Sequence, residues 1–233
     1  MPTRTDPPIG LLASGGLDSS ILLAHFLAGE RRVQPFYIRS GLVWQQCELM
    51  ALRRFLRALR SRQLAPLAVL ELPLADVYGP DHWSVSGRHV PDAASPDDAV
   101  YLPGRNPLLV IKAALWCQLN GISQLALAPL SGNPFADATA DFFEQFESAL
   151  NQATLGHVRI VRPFSTLTKR QVMELGRECP LELTFSCLNP CRGLHCGACN
   201  KCAERRAAFQ VAELPDPTQY ALVVERNSFR FVP

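Results

Sequence analysis

Apolar positions in this chain follow two alternating rhythms. Short apolar runs recur at Ile9–Ala13, Val33–Ile38, Leu67–Leu72, Leu125–Ala128 and Val158–Val161, and runs of this length read as buried strands. Between them the apolar residues take helical spacing. Examples are Ile21, Leu22, Leu23, Phe26 and Leu27, then Leu49, Leu52, Phe55, Leu56 and Leu59, then Leu108, Leu109, Ile111, Leu115 and Leu119. Phe142, Phe143, Phe146 and Leu150 continue the series, and Val172, Met173 and Leu175 make a shorter one. Strand alternating with helix predicts an α/β fold, an open and mostly parallel sheet with helices on both faces.

The rhythm fails in two places. From Pro73 to Val100 Gly, Pro, Asp and Ser dominate, which predicts a long structureless loop. Its His82, Trp83 and His89 receive no chemical role. After Leu214 the prolines predict an extended tail. The expected organisation is therefore an α/β domain over residues 1–180, a cysteine-rich segment over 181–214 and a tail over 215–233.

Composition narrows the class. At 233 residues the chain can bury a sizeable core, and 48% hydrophobic with 19% charged residues is a globular balance. A net charge of +2 with dispersed arginines gives little support to general nucleic-acid binding. Arg53, Arg54, Arg57 and Arg60 read as the solvated face of a helix. No apolar run is long enough to cross a membrane, and the first eight residues lack a signal-peptide core, so a cytoplasmic enzyme is expected.

The chemistry begins at Leu12, Ala13, Ser14, Gly15, Gly16, Leu17, Asp18, Ser19 and Ser20, where the first strand breaks into a helix. Small residues let the backbone aim several N–H groups at one point, at a helix N-terminus that favours negative charge. Asp18 or Ser19 is the expected helix cap. The loop lacks the Gly-Lys-Ser/Thr of a Walker sequence. Ser-Gly-Gly-Leu-Asp-Ser resembles the pyrophosphate loop of the ATP pyrophosphatases, which adenylate a substrate and release pyrophosphate.

Three further segments bear on the same pocket. Gly104, Arg105 and Asn106 open a helix after Tyr101-Leu102-Pro103, where a guanidinium can meet phosphate or ribose. Asn133, Asp137 and Thr139 follow the fourth strand, at the sheet edge where open α/β folds bind ligands, and can read a heterocycle. Asp137 or Thr139 can equally cap the helix that follows. Thr168 and Gln171 form a capping box, and Lys169 between them opposes the helix dipole unless an anion lies near.

Five of the eight cysteines fall between Cys187 and Cys202, a clustering that favours metal over disulfides. Cys47, Cys117 and Cys179 read as small buried residues. Cys196, Cys199 and Cys202 make a Cys-x2-Cys-x2-Cys knuckle suited to Zn²⁺, with Cys187, Cys191 or His195 as the fourth ligand. An iron–sulfur cluster is the rival. Four thiolates would leave no open coordination position, so the metal is expected to be structural, fixing one wall of the pocket.

Taken in order, the Ser-Gly-Gly-Leu-Asp-Ser loop, Tyr101 to Asn106, Leu167-Thr168-Lys169 and Thr184 to Cys202 resemble the 7-cyano-7-deazaguanine synthase family from about Ile9 to Phe209. The resemblance implies an adenine nucleotide alpha hydrolase-like fold with a small C-terminal zinc-binding segment. It also implies zinc on Cys187, Cys196, Cys199 and Cys202, a homodimer, and an activity on 7-carboxy-7-deazaguanine, ammonia and ATP with Mg²⁺. Residues 12–20 with Gly104 and Arg105 would bind ATP. Asp18, Arg105 and Lys169 would serve catalysis, and Asn133, Asp137 and Thr139 would meet the base. The chain departs from the family's Tyr-Gly-Gln segment at Arg39 to Trp44, with Glu48 following, and from its substrate loop at Ser131 to Asp137.

Three other readings compete with that one. A relative could join the activated carboxylate to a different amine. A tRNA-thiolating member of the superfamily is disfavoured, because no cysteine loop flanks the ATP site and no basic appendage is present. A non-enzymatic zinc module leaves the loop unexplained.

Overall fold

A computed structural model describes residues 7–225 and 228–231. Residues 1–6, within the stretch read as lacking a signal-peptide core, and 226–227 and 232–233 of the tail lie outside the described residues.

Strands β1 (Ile9–Leu12), β2 (Val33–Arg39), β3 (Ala68–Glu71), β4 (Gln124–Ala126) and β5 (Arg159–Val161) form one sheet in the order β3-β2-β1-β4-β5. All four pairings are parallel. Side-chain alternation decides which face each residue joins. Ile9 and Leu11 of β1 and Ala13 just after it, with Tyr37 of β2, pack against α1 (Leu17–Ala28) and α2 (Gln45–Leu59). Phe36, Ile38 and Leu125 pack on the opposite face against α5 (Arg105–Leu119) and α6 (Ala140–Thr154). Helices therefore cover both faces, as the periodicity predicts.

Gly10 explains how close the second layer lies. A Cβ there would meet Cys117 Sγ at 2.7 Å and Phe36 at 2.9 Å, so α5 packs onto β1 at a distance only glycine permits. Strand β1 is central, with β2 on one side and β4 on the other. The chain order reverses at this point, which opens a crevice at the strands' carboxyl ends.

Two expectations are corrected. Helix α1 is capped by Gly16 with no side-chain cap bond; Asp18 sits in the first turn and Ser19 turns its hydroxyl back to the loop. Residues 73–100 are not structureless: α3 (Ala75–Tyr78), α4 (Trp83–Ser86) and a 3₁₀ turn at Asp97–Val100 occupy them. These turns are too short to leave periodicity, and their order comes from packing. Tyr78, Trp83, Val85 and Val90 lie against a cluster containing Trp44, Leu188 and the four buried cysteines. The tail, read as extended, carries a strand pair. After a bridge between Tyr220 and His195, β6 (Leu222–Glu225) and β7 (Ser228–Phe231) pair antiparallel.

Two last helices complete the crevice. Helix α7 (Lys169–Leu175) carries the expected capping box, with Thr168 Oγ1 accepting from Gln171 N and Gln171 Oε1 accepting from Thr168 N. Helix α8 (Asn200–Val211) grows directly out of the cysteine knuckle, with Cys199 as its N-cap residue. No helix among the described residues is long and apolar enough to cross a membrane.

Candidate active site

A cavity of ≈ 350 Å³ opens at the carboxyl ends of β1, β2 and β4, a volume in the range of small-molecule sites. Its floor is the loop after β1. Ser14 N donates to Ser19 Oγ at 3.2 Å, Gly16 N donates to Ser14 Oγ at 3.2 Å, and the two hydroxyls lie 3.1 Å apart. These bonds hold the turn, while the first turn of α1 leaves its N–H groups without intrahelical partners. Gly15 has φ +81, and a Cβ there would lie 3.0 Å from the Glu48 carbonyl. A side chain would be strained in both respects.

Lys169 reaches this loop from α7. Its Nζ donates to both oxygens of Asp18 at 2.8 Å, and Glu204 of α8 lies 3.7 Å away. The lysine predicted to want an anion has one. Burial pushes the Asp18 carboxyl above its ordinary range, against the opposing pull of Lys169.

Arg105 opens α5 on the other side of the cavity, behind Gly104 in the left-handed conformation at φ +74. Arg105 Nε and Ser186 Oγ are buried with no hydrogen-bond partner among the described residues. Both belong to residues that line the cavity. Orphaned donors of this kind carry a desolvation cost that a polar ligand would remove.

The cavity gathers Leu12, Ala13, Ser14, Gly16, Leu17, Asp18, Ser19, Arg105, Asn133 and Lys169 from the sequence-derived candidates. It does not bring the others to its surface. Gly15 backs the loop against α2, and Ser20 is fully buried. Asp137 is buried as the acceptor for Asn106, through Oδ2 to the backbone N–H at 3.3 Å and Oδ1 to Nδ2 at 3.1 Å. Thr139 caps α6, accepting from Phe142 N at 3.1 Å. Asp137 and Thr139 thus have structural work to do, and Asn133 is the member of that trio at the cavity.

Sequence reasoning passed over Tyr37, Lys201, Glu204 and Arg205, all of which line the cavity; Trp44 and Glu48 entered only with the segment that departs from the family's, and Phe185 only within the cysteine motif. One signal was available: a helix emerging from the knuckle presents Lys201, Glu204 and Arg205 within its first turn and a half. Arg205 is only 2% exposed, yet it donates to Thr218 Oγ1, Thr184 Oγ1 and the Leu181 carbonyl at 2.6–3.0 Å. Burial alone reaches Glu48: its carboxyl accepts from Tyr37 Oη at 2.9 Å and is pushed up to about 7.

The ligand atoms of Cys187, Cys196, Cys199 and Cys202 lie within 4.8 Å of one another, and all four residues are buried. Two of the Sγ–Sγ separations are 3.9 Å, close to the ~3.8 Å edge of a tetrahedron with Zn–S bonds of about 2.3 Å. Backbone N–H groups of Leu188, Asn189, Cys196, Ala198 and Cys199 point at these sulfurs at 3.2–3.5 Å. Amide donors aimed at sulfur suit thiolate charge, so the donor set fits a tetrahedral metal. Cys191 stands aside in a turn with Leu194, and His195 Nε2 faces the Ser186 N–H at 3.3 Å. The knuckle also meets the loop, because Phe185 N donates to the Gly15 carbonyl at 2.7 Å.

A five-stranded parallel sheet with this loop at its switch point, walled by a four-cysteine segment, defines the class: an α/β enzyme of the pyrophosphate-loop type. The chain belongs to the family described as queuosine biosynthesis protein QueC, whose model matches residues 10–213. Among curated relatives, 7-cyano-7-deazaguanine synthase 1 of Desulfitobacterium hafniense (strain Y51) is 29% identical over 87% of this chain and 91% of its own. The 7-cyano-7-deazaguanine synthase of Syntrophobacter fumaroxidans (strain DSM 10017 / MPOB) is 33% identical over 90% and 94%. That of Methanothermobacter thermautotrophicus (strain ATCC 29096 / DSM 1053 / JCM 10044 / NBRC 100330 / Delta H) is 28% identical over 90% and 97%.

Proposed function

We propose that this enzyme converts 7-carboxy-7-deazaguanine and ammonia to 7-cyano-7-deazaguanine, consuming ATP through an adenylated carboxylate. The observation that carries the reading is the convergence of the Ser14–Ser19 loop, Lys169 and Arg105 on one cavity in a chain of this family. Ammonia cannot displace oxide from a carboxylate, so the acid needs a leaving group. Attack of the carboxylate on the α-phosphate supplies one and expels pyrophosphate. Ammonia then displaces AMP to give the amide, and a second adenylation on the amide oxygen lets that oxygen leave with AMP.

The loop N–H groups and the hydroxyls of Ser14 and Ser19 receive the phosphates, held in line for attack. Arg105 and Lys169 stabilise charge on the departing pyrophosphate. Asp18 would hold Mg²⁺ beside the phosphates, where the ion would screen their charge and leave Lys169 available to the phosphate oxygens. Zn²⁺ on the four cysteines would be structural, since a closed thiolate set leaves no open position. A homodimer in the cytoplasm, without a nucleic-acid partner, completes the proposal.

A second reading has one observation in its favour. The segment over Ser131 to Asp137 departs from the family's substrate loop, and Asp137 is committed to Asn106. In that reading an amine other than ammonia takes the activated acid. The test is mass spectrometry of products from zinc-loaded protein, 7-carboxy-7-deazaguanine, ATP, Mg²⁺ and ammonium. Nitrile formation that Asp18→Ala abolishes supports the proposal. Adenylate without amide or nitrile moves the reading to another acceptor, and absence of ATP consumption overturns it.

A further inference from the structure

The proposed reaction sheds a proton from nitrogen each time AMP leaves, and the cavity must receive it. Three carboxyl side chains line that cavity: Asp18, Glu48 and Glu204. Asp18 is held through both oxygens by Lys169 at 2.8 Å, and in the proposed ATP complex it would be held by Mg²⁺ instead. Glu204 is ion-paired to Lys201 and lies 3.7 Å from Lys169. Neither is free to take a proton. Glu48 differs, since among the described residues it has no lysine or arginine in ion-pair contact and its Oε1 has no hydrogen bond.

The surroundings of Glu48 suit both of its charge states. From β2, Tyr37 Oη lies 2.9 Å from Glu48 Oε2 and 3.1 Å from the Gln45 carbonyl. A phenol has one proton, so it can donate to Oε2 while Glu48 is ionised and turn to Gln45 when Glu48 carries a proton. Tyr37 itself stays a phenol, because burial raises it far above neutrality. From the start of α5, Arg105 favours the ionised form. On its own helix Cys47 adjoins it, with Arg54 beyond. Asp18 and Lys169 face the same cavity from α1 and α7 as a closed pair.

We infer that Glu48 Oε1 is the proton acceptor for the nitrogen centre, a catalytic role that rests on the nitrile-forming reading above. In the first turn ammonia forms the C–N bond, the C–O bond to AMP breaks with its electron pair going to AMP, and one N–H proton passes to Glu48. In the second, the amide oxygen attacks the α-phosphate and pyrophosphate leaves, taking up one N–H proton, and the resulting R–C(=NH)–O–AMP loses its remaining N–H proton to Glu48. The N–H pair becomes the third C–N bond as AMP leaves. Glu48 returns each proton to water between turns. Burial places its titration at about 7, the value that best balances basicity against availability near neutral pH.

The second turn gives the cleaner test, because 7-amido-7-deazaguanine with ATP needs no ammonium and so no ammonium titration intrudes. Single-turnover nitrile formation and substrate-dependent ATP–pyrophosphate exchange are followed together across the neutral pH range. For wild type, nitrile formation rises with pH through the Glu48 titration, since the ionised form is the acceptor. Glu48→Gln keeps exchange within about threefold, slows nitrile formation about 10²–10⁴-fold, and loses the limb near neutrality. Tyr37→Phe removes a donor to the carboxylate and moves the limb to higher pH. Nitrile formation by Glu48→Gln within tenfold of wild type with the limb intact overturns the inference. Equal loss of exchange and nitrile overturns it too, placing Glu48 in binding instead. Wild type that neither exchanges nor forms nitrile overturns the functional reading itself, a result separable from any behaviour of the variants.

Discussion

The two halves of the cavity are made in different ways. The phosphate-loop half comes from one contiguous stretch, Leu12 to Ser20, and its geometry follows from local rules: a strand end, a positive-φ glycine, two hydroxyls bonding back and a helix start. The cysteine half is assembled from segments far apart in the chain. Residues 91–95 dock on the knuckle through Ala93 N to the Ala198 carbonyl and Asn200 N to the Pro91 carbonyl, at 2.8 and 3.0 Å. Thr218 and Tyr220 of the tail bind Arg205 and His195 from the other side. The first half can lose a side chain and keep its shape. The second depends on a hub, and its removal releases several segments together.

Loss of the metal should therefore be the largest structural effect. With zinc on the four cysteines as proposed, Cys199→Ser removes a ligand and leaves a buried hydroxyl beside three thiols, and we expect more than about 4 kcal/mol of destabilisation with loss of that zinc. Limited proteolysis should then cut within residues 73–100 as well as near the knuckle. Retention of one zinc and an unchanged melting temperature would sink the contrast.

Asp18→Asn should do the reverse. The ion pair with Lys169 is partly exposed, at 28% and 24% for the two side chains, so its contribution to stability is within about 1 kcal/mol. Turnover should fall about 10²–10³-fold if this carboxylate organises charge at the phosphates. Chemical denaturation and ATP–pyrophosphate exchange on the same preparation separate the two quantities. A large stability loss would mean that the loop, too, is a hub.

What the sequence disclosed follows the same division. The β1 loop, the Thr168–Gln171 capping box and the knuckle are each encoded over neighbouring residues, where spacing marks the element, although it left the fourth cysteine ligand open and misplaced the cap of α1. Glu48 and Arg205 are different, because their surroundings are supplied by other elements. Tyr37 reaches Glu48 from β2, and Thr184 and Thr218 meet Arg205 from both sides of the knuckle. Residues 73–100 carried no periodic signal because each turn is only four residues long and is ordered by its contacts. Asp137 and Thr139 were ambiguous for a related reason: a polar residue before a helix looks the same whether it caps or binds.

Arg205 tests how far the hub extends. Arg205→Met keeps the apolar stem but leaves the Thr184 and Thr218 hydroxyl oxygens without their donor, while the Leu181 carbonyl keeps the Thr184 hydroxyl and N–H, at a cost of about 1–3 kcal/mol. Arg205→Lys should recover little, since a point charge cannot span three acceptors. Because Thr184 precedes Phe185, whose N–H holds the Gly15 carbonyl, turnover should decline along with stability. Recovery by lysine in a denaturation series would show that charge matters here and the fork does not.

The smallest effect belongs to Thr139, and it decides between two readings of one side chain. Its Oγ1 accepts from Phe142 N at 3.1 Å and lies 3.4 Å from the Ala136 carbonyl, to which it donates. The hydroxyl's proton and one of its two lone pairs are thereby used in starting α6, which leaves it no donor for a heterocycle. Thr139→Ala should cost about 1 kcal/mol, or roughly 2–4 °C in melting temperature for a domain of this size. Thr139→Ser should restore it, since serine caps as well. The Michaelis constant for the deazaguanine acid should not move in either variant. A several-fold rise in that constant with an unchanged melting temperature would return Thr139 to the substrate and place the cap elsewhere. It would also mean that the loop after β4 rearranges when the base enters, because Thr139 does not line the cavity as it stands.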